Sequence, residues 1–346
     1  MQKDITRRLL VVTQTVDEDD LYLGFFHSWL QALAPEFESI EIICLNKGKH
    51  TLPANVRVHS LGKETKKASR VVYALRFLSL AWRLRGRYGR VFVHMNQEYL
   101  LIAGVLWKIL QKPAFLWRNH YAGSWVTDLA VLFCRNVFYT SKHSYTAKYK
   151  HALQMPVGVD TKRFSRADAS HTSERSILFF ARLAPSKRPH VLIEALRILS
   201  ERGCTYKASI YGSALPEHAA YVSSLHAQAA GLPILFHEGV PNNAAPAVFK
   251  AHQIFVNLAP SGMLDKMIFE AAASGCIPLA ASQDWAGMVM DERLCFEEDN
   301  GEDLADKLEI VLSHPLPEEL HARFAGIVEK ESLPTLIKKL VPILYA

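Results

Sequence analysis

Two short stretches hold residue types that could grip a phosphorylated, hydroxylated ligand. In FFARLAPSKRPH an apolar run ends and delivers Arg182. Lys187 follows five residues later, and Pro189 opens a helical pattern. An arginine can hold two anionic oxygens at once, and a lysine adds a point charge. At a strand end beside a helix start, the pair reads as a diphosphate clamp. Two ordinary cations on a βα loop would look the same, and both readings stand on these residues. The second stretch, SGMLDKMIFEAAASG, runs from Ser261 to Gly275, between the apolar runs Ile254 to Leu258 and Ile277 to Ala280. A loop and helix start at the carboxyl end of a buried parallel strand is where such sheets bind ligands, and helix-start amides favour anions. Glu270 lies about one turn into this helix. Its carboxylate could accept two ribose hydroxyls, or it could be a solvated glutamate on a crossover helix.

The elements that must position these residues alternate throughout. In the first half, strands are expected at Leu9 to Val12, Ile40 to Leu45, Val56 to Leu61, Val91 to His94, Ala114 to Trp117, Val137 to Tyr139 and Met155 to Val159. Helices are expected from Gly24, from Lys67 to Arg87 and from Glu98 to Leu110. The polar stretch Thr161 to Arg175 reads as a linker. The pattern then restarts with strands at Ile177, Tyr206, Ile234 and Ile254, and helices at Pro189, Glu217 and Ala244. Two helices near Gly301 to Leu312 and Ser332 to Leu344 close the chain. Strand and helix in alternation predict an α/β protein with parallel, doubly wound sheets. The expected division is residues 1–160, a linker 161–175, a second domain 176–330, and a terminal helix 331–346 packing back on the first. The default site is a cleft between two Rossmann-like domains.

Composition narrows the function. At 346 residues, 49% hydrophobic and 21% charged, the chain is globular and has apolar material for two cores. Neither G-x-G-x-x-G nor G-x-x-x-x-G-K-[ST] is present, which argues against nicotinamide and P-loop enzymes. The apolar run Leu9 to Val12 is too short for a signal peptide, and no stretch of bilayer length exists. The five cysteines are scattered, so neither a disulfide framework nor zinc is expected, and a cytoplasmic location follows. Residues 1–160 hold 22 Lys and Arg against 12 Asp and Glu, while the remainder holds 18 against 22. The basic first half suggests an anionic partner. From Lys63 to Arg90, Arg76, Arg83 and Arg87 are expected on one helical face, beside apolar Val72, Leu75, Leu78, Ala81 and Trp82. That face could dock on anionic lipid or be solvated. Trp29, Trp107, Trp117 and Trp125 sit in apolar text and are expected in the core.

Residues 177–282 resemble the C-terminal half of the retaining glycosyltransferases of family four. The resemblance lies in FFARLAPSKRPHVLIEAL, IYGSA, FHEGV and the Ser261 to Gly275 stretch followed by CIPLAAS. It implies the GT-B fold, two Rossmann-like domains facing across a cleft. It makes Arg182 and Lys187 donor-diphosphate ligands and Glu270 the ribose ligand. Gly212, Gly239 and Val240 would flank the base. MPVGVDTKRF resembles the family hinge, at Gly158, Val159, Asp160 and Phe164. LWRNHY resembles its strand-end histidine segment and puts His120 near the transferred sugar. Gly24 sits where the family's glycine-rich loop approaches the phosphates. The family's paired glycines are absent there, and Asp17 and Asp20 stand in the loop instead. His94, Met95 and Asn96 end a strand expected to face the same cleft.

One departure matters. Most family members carry two glutamates separated by seven residues in this motif, and the first position here is Gly262. Asp265 or Lys266 could take over the sugar or phosphate contact, the donor sugar could differ, or the protein could bind without catalysing. The amides near Lys266 and Met267 are expected to add to the phosphate contacts. The expected activity is a metal-independent retaining transfer from a nucleotide-diphosphate sugar to a saccharide or lipid-linked hydroxyl acceptor, with no further cofactor and no nucleic-acid partner. It would serve polysaccharide, lipopolysaccharide or glycolipid synthesis, with peripheral contact to an anionic membrane. The alternatives are a silent sugar-nucleotide-binding scaffold and a sugar-nucleotide epimerase.

Overall fold

Alternating apolar runs and amphipathic stretches fold into two parallel sheets, each strand crossing to the next through a helix or an irregular connection. The computed structural model describes residues 5–166, 173–314 and 317–346. The middle of the expected linker, residues 167–172, lies outside the described residues. The chain divides into one unit of residues 1–158, 241–243 and 333–346, and a second of 159–240 and 244–332.

The first unit carries β1 (Arg8–Val16), β2 (Ser39–Lys47), β3 (Val56–Ser60), β4 (Arg90–His94), β5 (Ala114–Trp117), β6 (Cys134–Tyr139) and β7 (Ala152–Gln154), in the order β3-β2-β1-β4-β5-β6-β7. Its helices are α1 (Phe25–Leu33), α2 (Arg70–Arg83), α3 (Glu98–Ile109) and α4 (Trp125–Val131). Strands buried on both faces need helices on both. Leu10, Val12, Val91 and Val93 face a cluster with Phe77, Ala103 and Trp107 from α2 and α3. Leu9, Val11 and Phe92 face α1 on the other side.

The second unit carries β8 (Ser173–Phe180), β9 (Lys207–Tyr211), β10 (Ile234–His237), β11 (His252–Asn257) and β12 (Ile277–Ala280), in the order β10-β9-β8-β11-β12. Around them lie α5 (Pro189–Glu201), α6 (Ala219–Gln228), α7 (Ala245–Lys250), α8 (Lys266–Ser274), α9 (Gln283–Val289), α10 (Gly301–Ser313) and α11 (Glu318–Lys330). The last helix, α12 (Leu333–Tyr345), belongs to the first unit, where Leu336, Leu340 and Leu344 join the α1 core.

Several expectations are corrected. Met155 to Val159 is not a strand. The ladder ends at Gln154, and Pro156 has no amide to continue it. The long helix ends at Arg83, so Arg87 lies beyond it and the expected row of three arginines is not one helical face. Trp125 is 73% exposed, whereas Trp29, Trp107 and Trp117 are buried. Helices α4, α9 and α11 were not expected.

Candidate functional site

The order of the second sheet sets β8 beside β11, and the winding reverses there. Loops leaving the carboxyl ends of neighbouring strands at such a point rise side by side and leave a crevice. The loop after β8 carries Arg182 and Lys187, and the loop after β11 carries residues 258–265. They meet: Lys187 Nζ lies 3.5 Å from Asp265 Oδ2. Arg182 is exposed on its loop. The two sequence stretches singled out for chemistry therefore form one cationic, carboxylate-lined place.

A residue that the sequence did not single out ties the loops together. Arg188 takes a left-handed turn (φ 54°) into α5. Its guanidinium reaches Glu298 Oε2 at 3.3 Å and Asp299 Oδ1 at 3.1 Å. The other oxygen of Glu298 accepts the Ser261 N–H at 3.0 Å. One carboxylate thus bridges the β8 and β11 loops. Its only sequence signal is an unremarkable acidic run before α10.

Asp265 is the N-cap of α8. Its Oδ1 accepts the Met267 N–H at 3.1 Å, and its carbonyl accepts the Ile268 N–H at 3.2 Å. This corrects the expectation that Met267 offers its amide to a phosphate, because the cap already takes it. Asp265 is also engaged on both oxygens, by the amide and by Lys187, so it holds the loop and its lysine in place. One turn on, Lys266 Nζ lies 3.8 Å from Glu270 Oε1, and both side chains are largely buried. Burial pushes the Glu270 carboxyl up to about 7 against the pull of Lys266. Burial likewise pushes the Lys266 ammonium down to about 8 against the attraction of Glu270. The cost of removing charge from water drives both shifts. Asp160 and Arg163 act on the same pair. Gly262 is buried with φ +87°, a conformation that side-chain-bearing residues rarely adopt. A carboxylate-bearing side chain placed at this position would therefore be strained.

On the far side of β8, the Leu183 N–H donates to the Ser213 carbonyl at 3.2 Å, joining the β8 and β9 loops. A Cβ on Gly212 would lie 1.9 Å from the Ala181 carbonyl oxygen, so only glycine fits this approach. Ser213 Oγ donates to Glu238 Oε2 at 2.9 Å and accepts the Gly239 N–H at 3.0 Å. The Tyr211 and His237 rings stack at 4.3 Å. A cavity of about 550 Å³ opens here, lined by Gly212, Ser213, His226, Phe236, His237 and Glu238 among others. Its floor is the ends of β9 and β10, one strand along from the Arg182 and Lys187 loop. Gly239 follows it directly, and Val240 is half-buried just after.

The residues expected in the first unit are described there. Gly24 has an ordinary φ of −55° and caps α1; a Cβ on it would lie 2.5 Å from the Asp20 carbonyl oxygen. Asp20 Oδ1 accepts the Tyr22 and Leu23 amides at 2.8 and 2.7 Å, so the acidic loop spends that carboxylate on its own backbone. His120 follows β5. Its Nδ1 accepts the Ala122 N–H at 2.9 Å, and its ring stacks on Tyr121. His94, expected at a strand end facing the cleft, lies in the core: it is 1% exposed, stacked on Phe26 at 3.8 Å, with Thr13 Oγ1 3.3 Å from Nδ1. Gly158 has φ +72°, and its carbonyl accepts the Trp29 indole N–H at 3.0 Å. Val159 pairs with Ser332, Asp160 Oδ1 accepts the Arg163 amide, and Phe164 packs on Phe249. Among the described residues, no cluster of three or more His, Cys, Asp or Glu could hold a metal ion.

Two parallel sheets with interleaved helices, over nearly the whole chain, are the GT-B fold of glycosyltransferases. Anabaena HepE in complex with UDP superposes with a TM-score of 0.77 at 17% identity, over 97% of this chain and 99% of that one. Sucrose-phosphate synthase from Thermosynechococcus elongatus gives 0.76 at 13% identity, over 96% and 98%. The α,α-trehalose-phosphate synthase of Burkholderia xenovorans, in complex with glucose-6-phosphate, gives 0.71 at 11%, over 98% and 100%. Residues 174–314, which hold Arg182, Lys187, Gly212, Glu270 and Glu298, match the family described as "Glycosyl transferases group 1". That match spans most of the second unit. No curated protein matches the chain.

Proposed function

We propose that the protein transfers a sugar, with retention of configuration, from a nucleotide-diphosphate sugar to a hydroxyl acceptor. The observation that carries this is the meeting of the Lys187 loop with the Asp265-capped helix of Glu270 at the β8/β11 switch point. In this reading Arg182 and Lys187 hold the diphosphate and stabilise the charge that grows on it as the sugar leaves. That electrostatic term is commonly the largest in such a site. Glu270 accepts the ribose hydroxyls. The base lies in the cavity by Gly212, with Gly239 and Val240 beside it. Solved relatives in the same fold contain UDP and UDP-glucose, which favours a uridine donor.

The acceptor hydroxyl attacks the anomeric carbon from the face the diphosphate leaves. Its oxygen forms the new glycosidic bond, the bond from carbon to phosphate oxygen breaks, and the hydroxyl proton passes to the departing phosphate. Arg182 and Lys187 supply the positive charge that a metal would otherwise provide, so the transfer is proposed to be metal-independent and to need no further cofactor. Asp265 holds Lys187 in place, and Lys266 neutralises Glu270 until donor binds. His120 and Gly24 are assigned to the sugar and phosphate ends of the first unit, which would take the acceptor. The product would be a polysaccharide, lipopolysaccharide or glycolipid, made in the cytoplasm.

A second reading rests on Gly262. With no carboxylate where the resemblance places a sugar contact, the protein would bind sugar nucleotide without transfer. Release of nucleoside diphosphate from a panel of sugar nucleotides separates the two. The transferase reading expects release with at least one donor, and its loss in Arg182→Ala and Lys187→Ala. Unchanged turnover in both variants defeats that assignment. Tight donor binding without release from any donor, with or without acceptors, supports the silent binder.

A further inference from the structure

Helix α2 is amphipathic in an unusual way. Phe77 and Ala81 point into the core, as an amphipathic helix requires, but a second apolar stripe points away from it. Val71, Leu75, Leu78 and Trp82 recur at i, i+4, i+7 and i+11, and Val71 and Leu75 are 67% and 62% exposed. The pattern continues on the neighbours. On α3, which packs beside α2, Val105 and Ile109 are exposed one turn apart, Ile109 at 74%. On α4, which packs beside α3, Trp125, Leu129 and Leu132 are exposed at i, i+4 and i+7. All three helices bury their opposite faces in one core cluster on one side of the first sheet, so their outer stripes share a surface. Single exposed apolar residues are ordinary; three adjacent helices with outward apolar stripes are not.

The charge around this surface selects its partner. Residues 63–112 contain eleven Lys and Arg against two Asp and Glu; of these, Arg90 is buried against the Leu344 carbonyl and Lys112 is held by the Arg85 and Tyr88 carbonyls, leaving nine. The Arg85 guanidinium lies over the Trp82 ring at 4.2 Å, and Lys108 lies over Phe133 at 5.2 Å. On α4, Asp128 is already engaged by Lys148 and by the Tyr145 and Tyr149 hydroxyls. A second copy of the same face would bring like charge against like. An anionic bilayer offers hydrocarbon to the stripes, an interface to Trp82 and Trp125, and headgroup charge to the arginines and lysines. No helix among the described residues is long and apolar enough to cross a membrane, so the contact is peripheral.

We propose that the outer face of α2, α3 and α4 docks the protein on an anionic lipid bilayer by shallow insertion of these apolar stripes. The proposal does not rest on the transferase reading. The test is sedimentation of purified full-length protein with vesicles of phosphatidylcholine alone or with added phosphatidylglycerol, at low and high salt. Wild type should partition to the anionic vesicles and release with salt. Arg83→Gln/Arg85→Gln should weaken this roughly thirtyfold, at about a kilocalorie per charge. Leu75→Ser/Trp82→Ser should weaken it by about tenfold or more, because binding scales with inserted apolar area. The changed positions are solvent-facing, and an unchanged melting temperature confirms folding. The proposal is overturned if wild type stays with the supernatant of anionic vesicles, or if both variants bind as wild type does. It is equally overturned if lipid-free protein self-associates and Leu75→Ser/Trp82→Ser makes it monomeric, which would assign the face to a second copy.

Discussion

Glu270→Gln should weaken nucleoside-diphosphate binding through the ribose alone. In the free protein the carboxylate is buried beside Lys266 and titrates at about 7. Hydrogen bonds to a charged group contribute about 1.5–3 kcal/mol, which is roughly 10- to 150-fold in Kd. The same carboxylate makes binding pH-dependent. Because burial raises its pKa, lowering the pH from 8 to 6 protonates more of it, and affinity should fall over that range. Calorimetric titration at three pH values reads both effects. A nucleoside diphosphate lacking both ribose hydroxyls supplies the control, since it should bind wild type and Glu270→Gln alike. Stability follows with its own sign. The Glu270 pKa is raised on folding, so its contribution is present below the unfolded value and is lost as pH rises through about 7. The Lys266 pKa is lowered, so its contribution is present at high pH and is lost as pH falls through about 8. Lys266→Met/Glu270→Gln removes both groups and should flatten the stability profile between them. Equal loss of the hydroxyl-free ligand in Glu270→Gln, or wild-type affinity independent of pH, would refute the assignment.

Other outcomes follow from the loop geometry. Glu298→Gln removes the shared charge from Ser261 and Arg188. Because Glu298 is partly exposed, the expected loss of stability is small, about 1 kcal/mol or less, while the KM for donor rises severalfold in steady-state kinetics. Gly262→Glu restores the family's carboxylate on a backbone with φ +87°. It should cost about 1–3 kcal/mol in denaturant unfolding and fail to raise turnover. Gly212→Ala forces a Cβ onto the Ala181 carbonyl. It should lower the melting temperature and weaken binding of both nucleoside and nucleoside diphosphate, because the displaced loop borders the cavity proposed for the base.

Much of this was legible in the sequence because parallel α/β sheets write themselves as buried runs separated by helical periods. Ala114–Trp117, Ile234–His237 and Pro189–Glu201 fall where their patterns place them. Short helices were not legible: α4 and α9 have only seven residues each, too few for a period to stand out, and thirteen-residue α11 was missed as well. Arg182, Lys187 and Glu270 could be singled out because strand ends and helix starts constrain them. Their meeting was legible only through the family resemblance, since strand order is a tertiary fact. Glu298 and the cap role of Asp265 were hidden for the same reason. His94 and Trp125 were misread in opposite directions. A strand-end histidine looks like a site residue until Phe26 covers it, and a tryptophan in apolar text looks like core until its short helix turns it outward.

In the proposed function the β8 and β11 loops hold a nucleoside diphosphate by its phosphates. Calorimetric titration of nucleoside diphosphates, beginning with UDP, into wild type and the Arg182→Ala/Lys187→Ala variant tests this. Wild type should show saturable one-site binding. The double variant should lose roughly a hundredfold or more, at about 1.5–3 kcal/mol for each charged contact. No binding of any nucleoside diphosphate to wild type, or undiminished binding to the folded double variant, would contradict this reading.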